Sequence, residues 1–377
     1  MTAKRTKKNA IIPNGLSGDE VESFESKDEM NNVTLALRNE LNMNEKSSTS
    51  EKKKNALGQK KFAATAADFV DNMPPPPIHD ELQPIDYFYC IFGKQSTTLL
   101  TNQSNLYSVQ KHPNKPARIS EIEMEYFIGI LLMTGIYSFP KQRYFWSSDT
   151  RFESRSSVMS RDQFLEIKKS LHVTDNSVQS NRTDINFDRA NKVRPLLNIV
   201  KENFRKISKE EKLSIDEQII PFKGKSIMKQ HMPNKPNRWD YKMFLLVGGK
   251  SGICYDFIFY TGKNDKKKHG FCTDIVLDLC ETVPRFINHK VYFDNYFTTI
   301  RLQYRINVGS KKYYIKIIFR LIDLSVVNAW SLYRRHCWQL KLPKKDIMSL
   351  LTFRINIATV LLKSSPPPSI IKCGRPS

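Results

Sequence analysis

Two short stretches limit what this chain can fold into more than anything else in it: Leu213 to Phe222 (LSIDEQIIPF) and Val291 to Ile300 (VYFDNYFTTI). In each, apolar residues alternate with others (Leu213 and Ile215; Val291 and Phe293), and an Asp stands at the edge of the run. That is the pattern of a short strand ending in a carboxylate. Asp216 and Asp294, set at strand ends where side chains converge, could hold Mg²⁺ between them. Strand-end Asp is also a common cap and turn former, so the pair alone leaves a structural and a metal-binding reading open.

The chain is long enough to bury such strands. Its 377 residues have room for one large or two to three ordinary domains, and 40% hydrophobic with 11% aromatic residues suffices for a core. The six cysteines form no CxxC and no paired spacing, which signals neither a disulfide framework nor a zinc site and fits a reducing compartment. With no apolar leader and no uninterrupted apolar run of about 18 residues, a soluble intracellular protein is expected, with no membrane partner. The net charge of +22 sits almost entirely outside the first 72 residues, and residues 301–377 carry two acids, Asp323 and Asp346, against 15 Lys and Arg. A folded surface this basic attracts polyanions, nucleic acid first among them; the alternative is a merely solvated basic face.

Residues 1–80 read as a disordered polar tail followed by a stiff linker at Pro74 to Pro77. The tail holds one short helical stretch, Asn32 to Leu41, and a basic cluster, Lys4, Arg5, Lys7 and Lys8, that reads either as a nuclear import signal or as ordinary tail charge. Residues 81–210 turn helical. Tyr126, Phe127, Ile130, Leu131 and Thr134 recur at helical spacing behind an acidic start and ahead of Gly135. Ser160 with Gln163 signs a capping box ahead of Phe164, Ile167 and Leu171, and a third helix is predicted from Ala190 to about Ile207. Tyr144, Phe145 and Trp146 read as core rather than base-stacking residues. From Leu213 the pattern becomes mixed: a hairpin over Lys242 to Tyr260 around a glycine-rich turn, a helix over Asp274 to Val283, and the Val291 strand. The letters GGKS in that turn lack the glycine spacing and following helix of a phosphate loop. Lys229, Lys235, Arg238 and Lys242 fall in one basic, proline-kinked segment with Trp239 and Tyr241, which reads as a loop along a phosphate backbone or as plain structure.

Six stretches, in order across roughly residues 80 to 360, resemble the piggyBac family of transposable element-derived DDE transposases: FIGILLMTGI (Phe127 to Ile136), MSRDQFLEIKKSLHVTDN (Met159 to Asn176), IDEQIIPFKGK (Ile215 to Lys225), MPNKPNRWDYK (Met232 to Lys242), VYFDNYFTT (Val291 to Thr299) and IKIIFRLIDLSVVNAWSLYRR (Ile315 to Arg335). The resemblance implies an α/β fold with an RNase H-like core over about residues 211–310, a helical region associated with binding double-stranded DNA and forming a homodimer over 81–210, and a basic helical region over 311–377. It assigns Asp216 and Asp294 as the first two acidic catalytic and metal-binding residues, and implies action on DNA in the nucleus.

One piece of that pattern is missing. In the resembled family the second Asp segment leads to a GGVDxxD motif that supplies the third acidic ligand; here VYFDNYFTTIRL passes almost directly into QYRINVGSKKYYIKIIFRLID. Two-metal phosphoryl chemistry needs carboxylates that clamp both ions about 4 Å apart, and two Asp side chains bring too little charge. Asp323, inside a helical apolar pattern, and Asp346, ahead of another helix, read as structural; Glu217 should face away from Asp216. The family's Cys/His-rich zinc module is reduced to Cys373, so no zinc is expected. The sequence therefore reads as a DNA-binding protein of transposase descent with an incomplete catalytic centre. Two alternatives stand beside it: an active metal-dependent strand-transfer enzyme that recruits another third ligand, or a splice or decayed form without function.

Overall fold

The computed structural model describes residues 68–78, 81–137, 139, 142–147, 158–178, 184, 187–232, 239–262, 271–293 and 304–363. The tail helix, the basic cluster at Lys4 to Lys8, Asp294, Lys235, Arg238 and Cys373 lie outside them. Among the described residues, no helix is long and apolar enough to cross a membrane.

Among the described residues, five α-helices precede the sheet. Helix α1 (Pro84–Phe92) starts on Pro84, whose missing N–H falls where no helical acceptor exists, and Asp86 accepts the Gln83 N–H at 2.8 Å. Helix α2 (Lys94–Lys111) follows at once. Helix α3 (Glu121–Thr134) opens on a full capping box: Ser120 Oγ accepts the Glu123 N–H at 3.2 Å and Glu123 accepts the Ser120 N–H at 2.7 Å. Helix α4 (Arg161–Ser170) keeps only half of its predicted box. Ser160 Oγ caps the Gln163 N–H at 3.2 Å, but the Gln163 side chain donates instead to Glu123 on α3 and ties two helix starts together. The third predicted helix begins four residues late, as α5 (Arg194–Arg205), because Asp188 caps the turn before it and pairs with Arg194 at 2.7 Å.

The sheet is built from β1 (Lys212–Ile220), β2 (Gln230–His231), β3 (Trp239–Gly248), β4 (Cys254–Tyr260) and β5 (Lys290–Phe293). β3 runs antiparallel to β1 on one side and to β4 on the other, and β2 pairs with its first residues. After β4 the chain passes through α6 (Phe271–Cys280) to reach β5, which joins β1 in parallel with Ile215 opposite Phe293. β1 and β3 are therefore both inner strands, β1 flanked by β3 and β5.

Two helices complete the body: α7 (Tyr313–Gln339) and α8 (Leu350–Lys363). At 27 residues α7 is about 40 Å long, and apolar side chains circle it, which only a helix buried on nearly every side can sustain. One apolar core runs without a break through the N-terminal helices, the sheet and α7. Tyr87 on α1 bonds His336 on α7 at 3.0 Å, and on the sheet side Asn328 of α7 holds both backbone groups of Cys254, accepting its N–H at 2.7 Å and donating to its carbonyl at 3.0 Å. Gly135, just past α3, permits a backbone contact: a Cβ there would lie 2.1 Å from the Tyr304 carbonyl. That contact fixes the strand of chain leading into α7.

The expected proline linker is extended, but it is laid on the body rather than spanning free. Val70 N–H donates to the Ile287 carbonyl at 3.1 Å, Asn288 to the Asp68 carbonyl at 2.9 Å, and Gln339 to the Pro74 carbonyl at 3.3 Å.

Candidate active site

Asp216 lies in the middle of β1, opposite Leu245 of β3, and only 2% of its surface is exposed. It was expected at a strand end; instead the strand continues to Ile220, because Gln218 and Ile220 keep finding buried partners. Among the described residues the parallel pairing of β1 with β5 runs as far as Phe293, the residue before Asp294 in the sequence.

Side chains of a strand alternate between faces, which puts Asp216 with Gln218 on one face and Glu217 on the other. The Glu217 face is settled by Lys242, which sits diagonally across on β3 and reaches Glu217 at 3.2 Å. Phe244, directly opposite Glu217, meets Phe271 of α6 edge-on. So α6 covers this face. The expectation that Lys242 belongs to a phosphate-contacting loop is corrected here: it is a buried strand residue with its ammonium committed to a carboxylate. Tyr241 is likewise buried, whereas Trp239, half exposed, leans on His231. Lys229 remains on the surface side of the connection from β1, half-buried, its Nζ 3.3 Å from the Gly224 carbonyl and near Lys223 and Lys225, both exposed.

The Asp216 face meets α7. Arg320 Nε donates to Gln218 Oε1 at 3.0 Å, although both side chains are buried. Burial and the like charge of Arg305 pull Arg320 down to about 9. Three residues on, Asp323 is buried and bonded through both oxygens: one takes the Ile306 N–H at 2.9 Å and the other takes Arg354 at 2.9 Å. Burial pushes its carboxyl up, and Arg354, itself 1% exposed, opposes that. The structural reading of Asp323 agrees with this arrangement. Asp346 sits in a short 3₁₀ turn (Lys344–Asp346) before α8.

A Mg²⁺ site needs oxygen ligands with charge to spare. On the same face of β1 as Asp216, Gln218 accepts a bond from a cation, Arg320. Among the described residues no three His, Cys, Asp or Glu side chains come together in a way that could hold a metal. The described residues do not fit a two-metal cage.

A strand flanked by one antiparallel and one parallel neighbour, with a buried carboxylate at its centre and helices on both faces, makes this a mixed α/β fold. Residues 83–307 match the family model described as Transposase IS4, and as this is more than half of the chain, the protein belongs to that family, in its piggyBac branch. It is similar to the human PiggyBac transposable element-derived protein 3, 32% identical over 212 residues that make up 54% of this chain and 34% of that protein. It is also similar to the human PiggyBac transposable element-derived protein 2, 28% identical over 231 residues, 59% of this chain and 38% of that protein. The aligned part thus spans only about a third of the length of these relatives. Among solved structures, a chain of the piggyBac transposase synaptic complex with hairpin DNA superposes with a TM-score of 0.65 over 77% of this chain and 82% of that one. At 14% identity that likeness speaks to the fold.

Sequence reasoning missed Gln218 and Arg320. A signal was present: Arg320 is an arginine set among Ile317, Ile318, Leu321 and Ile322, where a helical apolar pattern has no use for a cation.

Proposed function

We propose that the protein binds double-stranded DNA as a piggyBac transposase-derived protein, in the nucleus, and does not cleave it. The sheet supports an RNase H-like core: three antiparallel strands, then a helix crossing to a strand parallel with the first. Asp216 and Asp294 are what remains of the acidic set, on the central strand and directly after its parallel neighbour. The observation that carries the loss of catalysis is the state of Asp323. It is the carboxylate that α7 brings to this side of β1, and both its oxygens are already taken. No GGVDxxD stretch stands in the sequence to supply another. The net charge of +22 supports a polyanionic partner, with Lys229, Lys235 and Arg238 the phosphate contacts we favour.

The test uses the purified full chain with duplex DNA carrying piggyBac-type inverted-repeat ends. Binding should weaken steeply with salt, and Lys235→Ala with Arg238→Ala should lower affinity and flatten the slope of log affinity against log salt by roughly one to two. With Mg²⁺ or Mn²⁺ present, wild-type protein and Asp216→Asn should leave equal amounts of uncut DNA. Nicking that Asp216→Asn abolishes would establish an active strand-transfer enzyme instead.

A further inference from the structure

Beneath the N-terminal half of α7 lies a cavity of about 420 Å³, lined by Arg305, Lys316 and Arg320 together with the end of β1 (Ile220, Pro221) and Gly135. The volume is within the range of about 300–1,000 Å³ usual for small-ligand sites. Asp323 is the only acid among its described lining residues, and its charge is spent on Arg354 and the Ile306 N–H. Three cations therefore face the space against a single carboxylate, which lies within electrostatic reach of Lys316 and Arg320 but hydrogen-bonds Arg354 and Ile306 instead.

The second observation concerns bonds left unmade. Arg320 is 6% exposed, yet its Nη2 has no hydrogen-bond partner among the described residues, and neither has Nε2 of Gln218, which is fully buried beside it. Both are donors, and they belong to the two side chains that hold each other across β1 and α7. A buried guanidinium with an idle N–H is costly unless an acceptor completes it, and a charged acceptor completes it best. Lys316, half-buried, spends one contact on the Val308 carbonyl at 3.3 Å; burial lowers its pKa, as it lowers that of Arg320.

We propose that this cavity is a phosphate-binding site, in which Arg320, Lys316 and Arg305 receive the oxygens of one phosphoryl group. The idle Nη2 of Arg320 becomes bonded, and a guanidinium offers the planar fork that phosphate oxygens match. The group is either a backbone phosphate of DNA or a free phosphate anion; only the first rests on the DNA-binding reading above.

Calorimetric titration of the full chain with inorganic phosphate, at fixed ionic strength set by chloride, tests it. Wild-type protein should bind one phosphate, and Arg305→Gln with Lys316→Gln should lose roughly a hundredfold or more in affinity, since each removes a charge-assisted bond worth about tenfold or more. These two side chains are exposed or half-buried, so the double variant folds even where Arg320→Gln does not. Absence of phosphate binding in wild type, or equal binding in the double variant, overturns the proposal. Where phosphate binds, duplex DNA is added as competitor. Displacement identifies the ligand as a backbone phosphate. Phosphate binding that DNA leaves untouched keeps the site, assigns it to the free anion, and detaches it from DNA binding.

Discussion

Arg320 and Asp323 stand one helical turn apart on α7, both buried, both charged, and treated in opposite ways. Every oxygen of Asp323 is matched, by a backbone N–H and by an arginine whose own Nε bonds the Leu132 carbonyl at 3.0 Å on α3. Arg320 is matched once, by a neutral amide, and keeps a free donor toward a cavity. A polar group that exists to hold a fold together has its bonds closed inside the fold. One left half-satisfied at a cavity wall has a bond reserved for something else. Asn328, further along the same helix, belongs with Asp323: both ends of its amide are used on the backbone of β4.

The cost of removing each side chain depends on what it leaves stranded, and this gives three ways to break the comparison. Asp323→Ala abandons the buried Arg354 charge and an amide; denaturant unfolding should show a loss of about 3–5 kcal/mol. Asn328→Ala leaves two neutral backbone groups of Cys254 unpaired, and the same measurement should show about 2–3 kcal/mol. Arg320→Met strands only the Gln218 oxygen while removing a poorly solvated cation, so it should cost about 1 kcal/mol or less and still abolish phosphate binding. If Arg320→Met proved as damaging as Asp323→Ala, the distinction between structural and ligand-facing charge on α7 would be lost.

Much of the architecture could be read directly from residues. Ser120 and Glu123 announce α3 because a cap and its reciprocal partner are local, three residues apart, and do not depend on the rest of the chain. The β3–β4 hairpin and the long apolar α7 are legible for the same reason, since periodicity reports directly which side of an element is dry. Asp216 was found from its strand. What it faces was not, because Gln218 and Arg320 are 102 residues apart in sequence and meet only when α7 packs on β1. Lys242 shows the opposite error: its basic neighbourhood suggested a loop on DNA, whereas the register with β1 places Glu217 diagonally opposite and neutralises it. The Pro74 segment reads as a stiff linker because its prolines dictate an extended chain, but they do not say what that chain lies against.

The sequence by itself determined most helices and strands to within a few residues, that α7 is an apolar helix, that the chain is strongly basic, and that a carboxylate motif expected of the family is missing. These follow from short-range sterics, apolar spacing and the plain count of charges. Only the tertiary structure decided which charges are spent and which are held open, since a hydrogen bond between distant side chains depends on angles and distances that no linear spacing encodes. The closed pair at Asp323 and the open one at Arg320 are written with the same kind of letters; packing against Arg354 on one side and a cavity wall on the other sets them apart.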